Sequence, residues 1–342
     1  MSARGKLTVY SDDTEAWRLI EGDALLTLAK LPDACVDAIV CDPPYGIAFG
    51  GEAWDGKAIR RAVSIEGQRL SAAEAFERWT RVWATEARRV LKPGGYMVAF
   101  GAPRTFHRLV VGAEDAGFEI RDVLIWLNGH GLPKSRRMPN GRGTGLKPAF
   151  EPILLARAPF TGTVEGNLRT WGTGALNIQA TRVSCPELPG NGYWPANVAL
   201  SHAPDCTEGA CVADCPVALL DQTPAWARPS RLFFCCKAPR HEREAGCQQL
   251  PVRAATVYKS RPSRQRSNTH PTVKPIALMR WLVRLVTPPG GMVLDPFAGS
   301  GSTGAAAVLE GRRFLGIERE GQYVDIACAR LTHWAHQAKE SA

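Results

Sequence analysis

The 342-residue sequence predicts an α/β protein: a mostly parallel sheet, covered by helices on both faces and interrupted by an irregular insertion. Three observations predict it. Short apolar runs alternate with helix-period segments from Trp17 to about Phe160. The same alternation returns from His270 onward. Between them, roughly Thr161 to Asn268, both periods are lost. At about 150 residues per domain, the length fits two domains, or one large domain carrying an insertion.

In chain order, the first part predicts strands at Arg18–Glu21, Asp37–Cys41, Tyr96–Gly101, Ile120–Leu127 and Pro152–Ala156. Helices are predicted between them at Ala24–Lys30, Ala72–Val90 and Arg104–Ala116. In the last part Pro275 opens a helix whose Ile276, Met279, Leu282, Val283 and Val286 share one face, and Pro288-Pro289-Gly290 ends it. A strand at Met292–Asp295, a helix at Ser302–Leu309, a strand at Arg313–Glu318 and a helix at Tyr323–Gln337 follow. The middle is rich in Gly, Pro, Ser, Arg and Cys and holds seven of the ten cysteines. Trp171, Trp194, Trp226, Phe233 and Phe234 are enough large rings for a small core of its own, so it reads as a domain and not a linker.

Composition narrows the class. With 45% apolar and 22% charged residues the chain is neither disordered nor collagen-like. Its 42 Lys and Arg against 33 Asp and Glu give a net charge of +9, which favours a polyanionic partner. Arg228 to Arg266 carries ten of those basic residues against Glu242 and Glu244, so the excess is local. A second basic group, Lys134, Arg136, Arg137 and Arg142, lies in a Gly- and Pro-rich loop. The polar stretch Met1 to Glu15 has no apolar run of the signal-peptide kind, and the most apolar segment, Ile276–Val286, contains Arg280 and Arg284. Ten cysteines in that setting point to a reducing compartment, the cytoplasm, with thiols or a metal in place of disulfides.

Two motifs carry chemistry. Gly299-Ser300-Gly301-Ser302-Thr303-Gly304 follows a strand ending at Asp295 and opens a helix, where glycines permit a tight turn and close approach of a nucleotide-like cofactor. Glu318 ends the next strand, where a carboxylate can accept from ribose hydroxyls. Asp42-Pro43-Pro44-Tyr45 sits at the carboxyl end of its own strand, a ligand position in open parallel sheets. A carboxylate plus a carbonyl fixed by the prolines makes two acceptors, suited to an exocyclic amino group. Tyr45 adds a planar face for a base.

Together these motifs resemble those of the S-adenosylmethionine-dependent DNA amino-methyltransferases, which methylate adenine N6 or cytosine N4. Leu19 to Leu25 with Val36 to Gly46 is similar to that family's opening block, and Val90-Leu91-Lys92-Pro93-Gly94-Gly95 to its turn into the next strand. His270 to Pro275 followed by Val293 to Gly304 is similar to the closing cofactor block. The catalytic motif precedes the cofactor motif, which resembles the permuted β class. Leu146 to Ile153 and Gly172 to Asn177 resemble a phage- and prophage-associated subgroup.

The resemblance implies a Rossmann-like, doubly wound class I methyltransferase fold, circularly permuted. Residues 1–160 would be its catalytic part, 161–268 an inserted target-recognition domain and 269–342 the donor-binding part. It implies Asp42, Pro43, Pro44 and Tyr45 as catalytic residues. Asp295, Phe297, Ala298, Gly299, Ser300 and Gly301 would line S-adenosylmethionine, with Glu318 on ribose, Asp23 near adenine, and Thr272 and Lys274 near the methionine end. Asp at the first motif position goes mostly with adenine, so N6-adenine is the expected target and N4-cytosine the alternative; an RNA or protein-amide acceptor is less favoured. Double-stranded DNA is the implied partner, reached by base flipping, and a homodimer and a separate cognate endonuclease are further partners the resemblance allows. No metal is expected for the chemistry. Cys206, Cys211 and Cys215, with Cys235, have spacings loosely compatible with zinc, while buried thiols are the plainer reading.

Overall fold

The computed structural model describes residues 8–66, 69–127, 138–183, 192–200, 206, 211–213, 215, 217–218, 233–234, 237–255 and 264–340. Lys134, Arg136, Arg137, Trp226, Arg228 and Cys235, which the sequence singles out, lie outside the described residues.

The chain opens with a hairpin of β1 (Thr8–Ser11) and β2 (Trp17–Glu21), and α1 (Ala24–Leu28) leads to β3 (Val36–Cys41). After α2 (Lys57–Ala62), the long α3 (Ala72–Val90) runs directly into β4 (Leu91–Phe100). Then come α4 (Phe106–Asp115), β5 (Glu119–Leu127), β6 (Phe150–Arg157) and α5 (Val164–Trp171). The stretch without sequence periodicity contributes, among its described residues, β7 (Val198–Leu200), β8 (Phe233–Phe234), α6 (Arg240–Glu244) and a small ribbon of β9 (Arg253–Ala255) and β10 (Arg264–Arg266). The closing part is α7 (Ile276–Val286), β11 (Met292–Asp295), α8 (Ser302–Leu309), β12 (Arg313–Glu318) and α9 (Gly321–Glu340).

Among the described residues one sheet of ten strands forms, in the order β1-β2-β12-β11-β3-β4-β6-β5-β7-β8. Strands β2, β12, β11, β3 and β4 run parallel, and β6 is antiparallel between β4 and β5. The two chemistry-bearing strands, β3 and β11, are neighbours, with Val293 opposite Ala38 and Leu294 opposite Ile39. From β3 the chain continues to β4 on one side, and from β11 to β12 on the other. This reversal opens the crevice at the carboxyl ends in which open α/β sheets hold ligands.

Alternation in the strands feeds two cores. Ala38 and Val40 of β3, with Tyr96, Val98 and Phe100 of β4, pack towards α7, α8 and α9. Ile39 and Cys41, with Met97 and Ala99, pack on the opposite face against α3. Helix α3 begins with a capping box, Ser71 and Glu74 each bonding the other's backbone N–H, and buries Phe76, Trp79, Trp83, Ala87 and Val90. The stretch 161–183 is not separate from this body: Asn167 of α5 donates to the Pro93 carbonyl at 2.9 Å. Asn177 donates to the carbonyls of Arg284 and Thr287 at 2.9 and 2.8 Å. No helix of the described residues is long and apolar enough to cross a membrane.

Helix α8 presses closely on its neighbours at Gly304, where a Cβ would lie 2.5 Å from both Phe314 Cδ1 and Leu331 Cδ2. Both side chains are fully enclosed and have no room to withdraw. Gly304→Ala should therefore destabilise the protein by about 1–3 kcal/mol, read as a lower urea midpoint at unchanged slope. An unchanged midpoint would show that the helix shifts freely.

Candidate active site

The end of β3 fixes the first half of the site. Asp42 is followed by two prolines, which remove backbone donors and hold the chain extended while it leaves the sheet. Asp42 Oδ1 accepts from the Tyr45 hydroxyl at 2.6 Å, and Oδ2 accepts from Lys274 Nζ at 2.5 Å. Lys274 also donates to the Tyr45 oxygen at 3.2 Å and lies 3.4 Å from Glu151 Oε2, itself 3.2 Å from that oxygen. Four polar side chains from three distant parts of the chain thus form one network. The loop after Tyr45 is held by Asp55, whose carboxylate accepts from the N–H groups of Gly46, Ile47 and Phe49. Thr105 donates to the Tyr45 carbonyl at 2.7 Å.

Burial pushes the Asp42 carboxyl above its usual range, opposed by the Lys274 ammonium and reinforced by Glu151. Burial disfavours the charge on Lys274, but Asp42 and Glu151 outweigh it and hold its pKa above the ordinary value. Tyr45 is pushed well up by burial and the two carboxylates, so it remains a hydroxyl donor. The network is a charged lysine steadying a carboxylate beside a second carboxylate.

The glycine-rich turn fixes the other half. Asp295 Oδ1 accepts from Phe297 N–H at 2.9 Å and Oδ2 from the Thr303 hydroxyl at 2.6 Å. Burial pushes Asp295 up to about 7 against those two bonds. Gly299 and Gly301 take φ of +53° and +74°, which an L side chain strains to adopt. Glu318, at the end of β12, accepts from Gly299 N–H at 2.8 Å through Oε2 and from Arg319 and Glu320 N–H through Oε1 at 2.9 and 2.8 Å. Arg330 of α9, fully buried, donates to the Ser300 carbonyl at 2.8 Å and braces the turn from beneath. His270 packs edge-on to Tyr323 and against Gly299, and burial with nearby Arg243, Lys274 and Arg330 pushes its pKa down to about 3, so it is neutral.

Both halves open into one cavity of about 460 Å³. It is lined by Asp42, Pro43, Pro44 and Tyr45 and by Asp23, Thr272, Lys274, Asp295, Phe297, Ala298, Gly299, Ser300 and Glu318. Gly301 instead packs against Ala327 as the residue before α8. Several side chains have partners that differ from those the sequence suggests. Lys274, expected near the methionine end of the donor, is paired with Asp42, because a buried ammonium needs an anion within the fold. Asp23 caps α1 through the N–H groups of Leu25 and Leu26. Phe297 lies 5.4 and 5.3 Å from the ring centres of Trp79 and Trp83, so α3 anchors the turn. Glu151 and Asp55 are additions that sequence reasoning missed. Glu151 sits in the Leu146 to Ile153 block, noted for its resemblance but given no role, and 106 residues separate it from Tyr45.

Residues 36–329 match the N6_N4_Mtase family, described as DNA methylase. The chain belongs to that family of DNA amino-methyltransferases. The methylase is 25% identical over 352 residues to the Type II methyltransferase M.HindIII of Haemophilus influenzae, a match covering 92% of this chain and 94% of the relative. It is 24% identical over 321 residues to the Type II methyltransferase M2.DpnII of Streptococcus pneumoniae, covering 92% and 88%. In fold it is similar to the solved PvuII DNA methyltransferase, cytosine-N4-specific, with a TM-score of 0.56, 16% identity and coverage of 95% and 93%. The mixed α/β fold with its mostly parallel sheet is that of this class of enzyme.

If the Asp42 carboxylate is to accept a hydrogen bond from an amine it has to be ionised, and transfer is then expected to be lost as pH falls through its raised pKa, on the alkaline side of the ordinary carboxylate range. Glu151→Gln removes the like charge that raises Asp42. It should move that acid limb to lower pH while slowing transfer at neutral pH by about tenfold, equivalent to about 1.4 kcal/mol. A pH–rate profile of both proteins checks this, and superimposable acid limbs would contradict it.

Proposed function

We propose that this enzyme transfers a methyl group from S-adenosylmethionine to adenine N6 in double-stranded DNA, with the target base flipped out of the duplex. The observation that carries the reading is the Asp42 carboxylate, bonded by Tyr45 and Lys274 at the end of β3, beside the glycine turn at the end of β11. The cavity fits the donor. The Gly299 turn, with His270 packed against it, borders the cavity, Asp23 and Glu318 offer acceptors at its edge, and Trp79, Phe297 and Tyr323 supply apolar wall.

When bound, S-adenosylmethionine supplies an electrophilic methyl group on a sulfonium. The protein's task is the nucleophile, an aromatic amine whose lone pair is delocalised into its ring. Asp42 and the Pro43 carbonyl accept the two amino hydrogens and draw the nitrogen towards tetrahedral geometry. As positive charge develops there, the fixed carboxylate stabilises it without reorganisation. Lys274 stays charged and holds that carboxylate in place, with Tyr45 fixing its other oxygen. Positioning the amine against the methyl supplies the remaining acceleration.

Residues 1–160 and 269–342 form the catalytic and donor-binding parts of one domain, and 161–268 the recognition domain. The packing of α5 and Asn177 on the sheet favours placing DNA reading beyond residue 183. There the exposed Arg240 and Arg253 supply phosphate partners. Asp at position 42 favours adenine, and the enzyme is cytoplasmic. Digestion of DNA methylated in vitro, followed by mass spectrometry of its nucleosides, tests the base: N6-methyladenine is expected, and N4-methylcytosine would overturn the assignment.

A further inference from the structure

Beyond the catalytic cavity, one side-chain cluster is used by none of this chemistry. The sulfur atoms of Cys206, Cys211 and Cys215 all lie within 4.8 Å of one another, in the stretch that follows β7. None of the three is in a disulfide. A turn closed by the Cys215 N–H on the Val212 carbonyl at 3.0 Å folds Cys211 back beside Cys215. Cys215 is fully buried, Cys206 is half-buried and Cys211 reaches the surface. Among the described residues, Cys215 is at the centre of an apolar cluster with Leu200 and Val217, and Cys206 packs at its edge.

We propose that Cys206, Cys211 and Cys215 are three thiolate ligands of one structural zinc ion, which ties the stretch after β7 to the end of the sheet. Three soft sulfur donors with no carboxylate among them select zinc over magnesium or calcium. Zinc–sulfur bonds of about 2.3 Å in a tetrahedron set sulfurs about 3.8 Å apart. The present spacing therefore needs to close by no more than about 1 Å. Four and three residues intervene between the donors in sequence, and the turn at Val212–Cys215 lies within the second interval. Water or a further protein donor completes the tetrahedron. Binding displaces the thiol protons, so affinity falls with pH.

The test uses the full-length chain, expressed with zinc in the medium and purified without chelator. Elemental analysis should find about one zinc per chain, and a Cys211→Ser, Cys215→Ser double variant should retain less than about a tenth of that. Cobalt(II) exchanged into the wild-type protein should give the thiolate-to-metal charge-transfer absorption of a tetrahedral sulfur site, absent from the double variant. Less than about a tenth of an equivalent of zinc together with no cobalt band in the reduced wild-type protein would overturn the proposal. So would undiminished zinc in the double variant, or a disulfide between two of these cysteines in the freshly purified chain. Should the double variant not fold, the wild-type cobalt spectrum decides alone. The outcome is independent of whether DNA adenine is the substrate.

Discussion

Asp42→Asn should lower single-turnover methyl transfer by about a thousandfold while leaving donor affinity within about twofold. In the proposed reaction the carboxylate presents charge where positive charge forms on the attacking nitrogen, and its two oxygens are fixed by Tyr45 at 2.6 Å and Lys274 at 2.5 Å. An amide keeps the shape but replaces one acceptor by N–H donors and removes the charge. The buried Lys274 ammonium still has Glu151 at 3.4 Å, so the fold should tolerate the change. Donor titration and rapid-quench transfer, run on the same preparations, separate the two effects. A loss of donor binding as large as the loss of rate would make Asp42 a structural residue.

Glu318→Ala should act on the other half of the site. One buried carboxylate accepts from three backbone N–H groups and thereby links the Gly299 turn to the start of α9. Bonds to a charged group contribute about 1.5–3 kcal/mol each when lost. Loss of the turn's geometry and of the proposed ribose acceptor should raise the donor dissociation constant by about ten- to a hundredfold. Transfer at saturating donor should fall far less. Equilibrium dialysis with labelled donor measures it, and an unchanged constant would remove Glu318 from the donor site.

The parts of the fold legible in the sequence are those where local signals coincide with tertiary demand. Helix α3 carries its own capping box and a continuous apolar face, and Ala72–Val90 is read correctly to the residue. The same holds for Met292–Asp295, Ser302–Leu309 and Arg313–Glu318, where strand, glycine turn and helix follow one another without a gap. Strand β4 begins at Leu91 and not at Tyr96, because Pro93-Gly94-Gly95, a turn by composition, is absorbed as an irregularity in the strand. Strand β1 is missed because three of its four residues are exposed, which leaves no apolar alternation to detect. Strands β7 and β8 are too short to give a period.

The site divides similarly. Asp42 to Tyr45 and Gly299 to Gly304 stand out because their backbone requirements are written in prolines and glycines. Glu151 and the pairing of Lys274 with Asp42 depend on the sheet bringing together residues 106 and 232 positions apart, and nothing local records that.

The most direct test of the account is a single-turnover incubation of the wild-type enzyme with unmethylated duplex DNA and methyl-labelled S-adenosylmethionine. One labelled methyl per active site is expected, recovered on an exocyclic amino nitrogen after nucleoside digestion. Donor bound at the Gly299 turn with no label entering DNA would contradict it.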